Sequence, residues 1–460
     1  MGRGHKQATP ARGALDPHGT LPRMNRYAQL LRKRDFALLW GGATVSALGD
    51  GMSFIALVWL VIERGGTPAD VGWLAAIYTA PVVIGGLAAG VILDRFDPRL
   101  VLAVDSAIRG LAVASVPIAA ALGVLTTTQI FVVAGVYGLL FMTSAAGIPT
   151  MIPRLVERED LTTANAMESL SFGISGLIGP TIAGLVIATL GAPVVLALDA
   201  ATYGFFVLCL LAMRRDDARA GAAAAQPAES LHVQVAEAVD PAQLVEPPSV
   251  PAPAGKRSGG GLGPALRFVL GAPAILTITL MYMCLNIAGG IFAVVIPIYA
   301  HDVLGGGATT YGLLVSSRTA GDLFGLVAVG AINWRWPLGR SIAGAIVICA
   351  LTSSFLLFGP GFLPLLAILA VWGVFESSLT PWAQTIRMRL IPPELRGRVF
   401  ALLRTLMQST RPIGAIVAGY LLTNGDLTPA LVAMTALLAL PGLIGLRIPA
   451  LGRGPTAEPA

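Results

Sequence analysis

Phe36-Ala-Leu-Leu-Trp-Gly-Gly-Ala-Thr-Val-Ser-Ala-Leu-Gly-Asp50-Gly-Met-Ser-Phe-Ile-Ala-Leu-Val-Trp-Leu-Val-Ile62 carries a single charge along its whole length. A helix needs roughly 20 mostly apolar residues to cross about 30 Å of hydrocarbon, so this stretch is long enough to span a bilayer. Basic residues Arg32, Lys33 and Arg34 precede it, and Glu63 and Arg64 end it. The composition points the same way. Of 460 residues 55% are apolar and only 12% charged, against roughly 25% charged in an ordinary soluble domain. With a mean hydropathy of +0.76, too little polar material remains to clothe the two or three soluble domains that the length would otherwise suggest. A soluble enzyme is therefore not the expectation.

Marking every stretch of that kind gives twelve spans, at about 36–62, 70–93, 100–123, 127–149, 166–190 and 192–213, then 273–300, 311–332, 341–359, 362–382, 400–423 and 428–449. The expected fold is an all-α integral membrane protein of two six-helix bundles. Its parts are a basic leader over 1–35, bundles over 36–213 and 273–449, a linker over 214–272 and a tail over 450–460. The linker from Asp216 to about Gly263 is rich in Ala, Pro, Glu and Gly, and the leader to about Met24 in Gly, Pro and Arg. Both are expected to lack packed structure. The first apolar stretch is too long for a secretory signal and is followed by eleven more, so it is expected to stay in the chain.

The 31 Lys and Arg residues outnumber the 25 Asp and Glu. With the N-terminus in the cytoplasm, the cytoplasmic segments hold 8, 2, 2, 6, 2, 4 and 2 of the basic residues, a total of 26, and the outside loops hold Arg64 alone. Arg109, Arg318, Arg404 and Arg411 fall inside spans. Cytoplasmic loops collect Lys and Arg, so both ends of the chain are expected in the cytoplasm of a cell-membrane protein. The excess charge is a topology signal rather than a nucleic-acid footprint, because it is spread over short loops with no aromatic platform beside it.

The two halves resemble each other. At a shift of 240, Gly72, Thr79, Ala80, Gly85, Gly90 and Arg95 stand opposite Gly312, Thr319, Ala320, Gly325, Gly330 and Arg335; at a shift of 232, Pro149 and Pro180 meet Pro381 and Pro412. Parallel repeats of this kind are related by an axis along the membrane normal, with the substrate cavity at their interface near the midplane.

After the second span comes Gly90-Val-Ile-Leu-Asp94-Arg95-Phe-Asp97-Pro98-Arg99. It is similar to the Gly-x-x-x-Asp-Arg-x-Gly-Arg-Arg/Lys signature of the major facilitator superfamily, with Asp97 and Pro98 where that pattern has Gly and Arg. In the second half, Trp334 stands where the Asp would be. Span five contains Gly173, Gly176, Gly179-Pro180 and Gly184, similar to a Gly-Pro-rich stretch of antiporters in that superfamily, although plain helix packing and bending account for the same residues. The chain as a whole resembles this superfamily, and most closely its exporters of the enterobactin-exporter and macrolide-efflux type. The resemblance implies a gate on the cytoplasmic side. There Asp94, with Gly90, Arg95 and Arg99, would latch onto the start of span eleven, with Arg404 as one partner. It also implies a monomer.

Ionisable groups at mid-membrane cost about 2.5–3.5 kcal/mol each on insertion scales, so each needs a reason. Asp105 and Arg109, and likewise Arg318 and Asp322, are four residues apart and can neutralise each other on one helix face. The first pair sits near the gate; the second is a candidate for substrate contact. Asp50 lies between Gly49 and Gly51 with no opposite charge within a helical turn. It is the first candidate for taking up and releasing a proton as cavity water comes and goes, Glu376 the second and Asp199 the third. A salt bridge within the bundle, with Arg411 as a free cation, accounts for the same residues. Arg404 and Arg411 are seven apart and share a face; Arg411 stands beside an expected kink at Pro412.

All four histidines lie outside the spans, so a proton relay would run on carboxylates. Cys209, Cys284 and Cys349 sit singly in separate spans, which argues against disulfides and a metal site. No phosphate-binding loop or hydrolase motif occurs. The expectation is a secondary transporter and not an enzyme, with a proton gradient in place of any cofactor. It would export a small, partly apolar drug, siderophore or secondary metabolite by alternating access. An importer or lipid flippase on the same scaffold, or a non-transporting receptor or sensor, remains the alternative.

Overall fold

The computed structural model describes residues 22–214, 263–332 and 336–452. The sequence expectations for the leader before residue 22, most of the linker, Trp334 and the tail beyond residue 452 lie outside the described residues.

The first half contains α1 (Pro22–Arg32), α2 (Arg34–Glu63), α3 (Pro68–Thr79), α4 (Pro81–Arg95), α5 (Pro98–Ala121), α6 (Thr127–Leu155), α7 (Leu161–Leu190) and α8 (Ala192–Ala212). The second contains α9 (Gly263–Gly271), α10 (Pro273–Ile298), α11 (Ala308–Ala331), α12 (Leu338–Ser354), α13 (Phe362–Leu390), α14 (Arg396–Gln408), α15 (Arg411–Leu421) and α16 (Thr428–Arg447). Among the described residues eleven stretches of helix are long and apolar enough to cross a membrane, α3 running on into α4 as one of them. The eleventh span along the chain is the one that is divided: its two helices, α14 and α15, are each too short to cross alone, and the break between them falls at Ser409 and Thr410. With it the described residues hold twelve spans, so Pro22 and Gly452 fall on one side, here called the terminal side.

Prolines act differently along these spans. Before Pro412 the helix breaks, whereas α7 runs unbroken through Pro180. Likewise α6 passes Pro149 and α13 passes Pro381, so both extend beyond the ends expected at 149 and 382. Past Pro381 the helix carries a side-chain bond of its own, the hydroxyl of Thr385 donating back to the Pro381 carbonyl at 2.9 Å.

The repeat is visible in how the helices touch. A Cβ on Gly72 of α3 would lie 2.6 Å from the Ala415 carbonyl of α15 and 3.0 Å from Cα of Gly419. Its counterpart Gly312 of α11 meets the Pro180 carbonyl and Gly184 of α7. Gly85 and Gly325 in turn face the carbonyls of Leu139 and Val374. Even the short helices correspond. Helix α1 packs on α2 and α7, the first and fifth spans of its half, and α9 packs on α10 and α14, the first and fifth of the other.

The contacts of Gly85 and Gly325 lie within one bundle each, whereas those of Gly72 and Gly312 cross between the bundles and hold them together on the side away from the chain ends. There α7 and α11 add hydrogen bonds from Thr309 to the Gly184 carbonyl, 3.0 Å, and from Thr181 to Ser316, 2.8 Å, while Trp59 meets His301 edge-on with ring centroids 5.8 Å apart. On the terminal side, α4 packs on α6, and α14 on α9 and α10. Nothing lies within 4 Å of a Cβ built on Gly90. The bundles meet mainly on the far side; toward the terminal side the described contacts between them are fewer, Gly173 against Leu323 and Arg404 against Met142 among them. Gly72→Leu should wedge α3 from α15, because only backbone stands in its way. The expected result is greater labelling of single cysteines placed at the far-side helix ends, with wild-type labelling contradicting this.

Candidate functional site

In the first bundle the charged residues gather around Arg109 of α5, which is almost wholly buried. Its guanidinium donates to Oδ2 of Asp105 at 2.6 and 3.0 Å, to the Tyr203 hydroxyl at 3.0 Å, and to the Ser144 hydroxyl. The expected pairing of Asp105 and Arg109 on one face is thus present. No helical spacing marks the third member, Asp50 of α2, whose carboxylate lies 3.6 Å from Arg109 and accepts from the Tyr203 hydroxyl. Asp50 has no opposite charge within a helical turn of its own helix and finds its counterion on another span, a salt bridge within the bundle of the kind the sequence left open. The Tyr203 ring lies under the guanidinium, 4.7 Å from centroid to Cζ, and Tyr137 closes the other side at 5.7 Å. Five polar side chains from α2, α5, α6 and α8 thus converge on one guanidinium.

Asp199 of α8 is fully enclosed. Ser53 donates to one carboxylate oxygen and Thr202 to the other at 3.2 Å. The glycines flanking Asp50 make this possible. A side chain on Gly49 would strike Asp199 and Thr202, and one on Gly51 would lie 2.7 Å from the Ser175 carbonyl of α7.

In the second bundle Arg318 of α11 does not make its ion pair with Asp322, as its spacing suggested, but with Glu376 of α13, at 2.5 Å. Gly321 and Gly373 explain the choice, since each brings its helix onto the backbone of the other. Phe292 lies 5.2 Å from the Arg318 guanidinium. Asp322 is half-buried with no hydrogen bond or ion pair among the described residues. Arg411 is exposed, in the field of Arg318, Glu376 and, from the first bundle, Tyr78. Among the described residues it forms no ion pair with a carboxylate, so the suggested bridge from Arg411 is not seen there. Glu376→Ala should leave Arg318 uncompensated, and we expect Arg318→Glu/Glu376→Arg to recover thermal stability that either single change loses. A double change no better than its singles would contradict this.

The gate residues are apart. Asp94 and Arg95 are exposed, and Asp94 has no hydrogen bond or ion pair among the described residues. Arg404, its expected partner, meets the sulfur of Met142 on α6 at 3.2 Å. Arg99 instead caps the end of α8, donating to the carbonyls of Leu210 at 2.5 Å and Leu211 at 2.7 Å. Arg99→Ala is therefore expected to lower thermal stability by about 1–3 kcal/mol through two stranded carbonyls; an unchanged melting profile would contradict it.

A cleft opens within the first bundle. Stripes at helical spacing form its walls: Trp40, Thr44 and Ala47 of α2, and Phe141, Ser144 and Ile148 of α6. Asp50 and Arg109 line its inner part. Glu168 of α7 lines it too, and sequence reasoning missed it. The residue sat at the margin of the expected span, although Glu168, Ser171 and Ser175 make a polar stripe that marks a face turned from lipid. Arg387 was missed likewise. Counted as a loop charge, it is buried in α13, 5.2 Å from the ring of Tyr282.

Comparison with known proteins places this arrangement. The family model described as transmembrane secretion effector matches residues 26–243, and that described as Major Facilitator Superfamily matches residues 278–459. The multidrug efflux pump Tap of Mycobacterium tuberculosis is 25% identical over 422 residues, 88% of this chain and 91% of that protein. Macrolide efflux protein A of Streptococcus pyogenes is 23% identical over 390 residues, covering 84% and 89%. Among solved structures, the nucleoside transporter NupG superposes with a TM-score of 0.67 at 13% identity, over 90% of this chain and 99% of that one. With two matched halves, twelve spans and a cleft among them, the chain belongs to the major facilitator superfamily, a multi-pass membrane transporter similar to bacterial efflux pumps.

Proposed function

We propose that this protein exports a small, partly apolar molecule from the cytoplasm in exchange for protons, by alternating access between its two bundles. The observation that carries the reading is the ion pair of Asp50 with Arg109 at the inner wall of a cleft lined mostly by apolar and aromatic side chains. The names of the similar pumps favour export, and the Lys and Arg distribution puts the terminal side, where the bundles touch less, in the cytoplasm. The conformation described is then inward-open.

The chemistry follows from what each group can exchange. Arg109 stays charged, and Asp105 holds it in place from the same helix. Asp50 is the partner within reach of cavity water, with its side chain 19% exposed. When Asp50 takes a proton its attraction to Arg109 is lost, and the contact between α2 and α5 weakens; when it releases the proton the pair forms again. An equilibrium between two packings, biased by one proton, is what coupling requires. Glu376 with Arg318 offers the same switch in the second bundle. Asp199 is sealed off, and its hydroxyl contacts tie α2 to α8.

The test is accumulation of a panel of fluorescent and antibiotic compounds in an efflux-deficient bacterial host, with and without a protonophore. Expression should lower accumulation of at least one compound, and the protonophore should abolish the effect. No response from any compound, with the protein shown to be in the membrane, would contradict export of this class.

A further inference from the structure

We propose that the cavity of the first bundle takes an organic cation, and that Glu168 is the residue that selects for it. The inference deepens the transport reading by naming a substrate class, and rests on it only in taking the cavity as the place where the guest sits. Asp50 is already engaged by Arg109 and Tyr203, and Arg109 is shared with Asp105. Glu168, also on the cavity wall, has no hydrogen bond or ion pair among the described residues. The cavity therefore presents one carboxylate whose charge nothing in the protein offsets.

Position and surroundings fit a cation better than an anion or a neutral guest. Glu168 stands two turns into α7 on the terminal side, whereas Asp50 lies halfway along α2. An entering molecule meets Glu168 before the Asp50 pair. The wall beside it carries aromatic faces, Trp40, Phe141 and Phe172, which attract an organic cation through the ring quadrupole. Trp40 is fixed in orientation by donating from Nε1 to the Met167 carbonyl at 3.0 Å. An anionic guest would face two carboxylates, and a neutral one would leave Glu168 unpaired as the bundles close around it and expel water. A positive guest removes that penalty, so occlusion itself discriminates in its favour.

The test is direct binding to the purified full chain in detergent at one fixed pH. The probes are tetraphenylphosphonium, a permanent cation, and N-phenyl-1-naphthylamine, which is uncharged. Wild type and Glu168→Asp should bind both. Glu168→Gln should lose roughly ten- to a hundredfold in affinity for the cation and keep the neutral probe. Wild type that fails to bind the cation, Glu168→Gln that binds it as wild type does, or a variant that loses both probes together would overturn the proposal. The two readings fail separately. Export of an uncharged compound in cells without cation binding sinks this inference alone, and cation binding without export of any compound sinks the transport reading alone.

Discussion

Arg109→Ala should destabilise the protein more than any other single substitution considered, by about 3–5 kcal/mol, the range found when one partner is removed from a buried ionic network. Arg109 is 1% exposed, and its loss leaves Asp105, 3% exposed, beside Asp50 with no cation to offset either. It also leaves the hydroxyls of Tyr203 and Ser144 without their charged partner and removes the stack between Tyr137 and Tyr203. Arg109→Lys should recover only part of the loss, because an ammonium cannot present the planar fork that serves Asp105 through two nitrogens. Asp105→Asn combined with Arg109→Met should be better tolerated than Arg109→Ala, since it removes the stranded carboxylate as well as the guanidinium. Thermal unfolding in detergent, followed by loss of monodisperse protein, gives the ranking. An Arg109→Ala protein as stable as wild type would mean that the cluster is not the electrostatic centre of the bundle.

Much of the fold was legible because the bilayer imposes a length on every span and a sign on every loop. Repeat shifts found in the sequence alone pair the glycines that pack in equivalent places, Gly72 with Gly312 and Gly85 with Gly325. The site was legible only within a helix. Spacing of four joined Asp105 to Arg109 correctly and Arg318 to Asp322 incorrectly, because the rotation that turns Arg318 toward Glu376 depends on how α11 and α13 meet at Gly321 and Gly373. The partnership of Asp50 with Arg109 crosses from one span to another and leaves no periodic trace. Glu168 and Arg387 escaped for a different reason. Both lay near expected ends of spans, and the helix carrying Arg387 was stopped at a proline that it in fact passes.

Asp50→Asn should separate transport from its driving force. The amide can still accept from Tyr203 and occupies the same volume, so folding should survive, but the group no longer alternates between a charged and a neutral form. Arg109 would face one state permanently, as if the proton were always bound. Substrate exchange at equal concentrations on both sides needs no net proton movement and should persist, while accumulation against a gradient should be lost altogether. This pattern distinguishes a coupling residue from a substrate contact, whose loss would lower both.

The central claim is that a proton on Asp50 drives export, and proteoliposomes holding the purified protein with an imposed pH gradient test it most directly. Uptake of a compound identified in the cell panel is followed for wild type and Asp50→Asn, with the gradient present and after it is collapsed. The account predicts that wild type accumulates the compound only while the gradient stands, and that Asp50→Asn only equilibrates it in either condition. Gradient-driven accumulation by Asp50→Asn equal to that of wild type would contradict it.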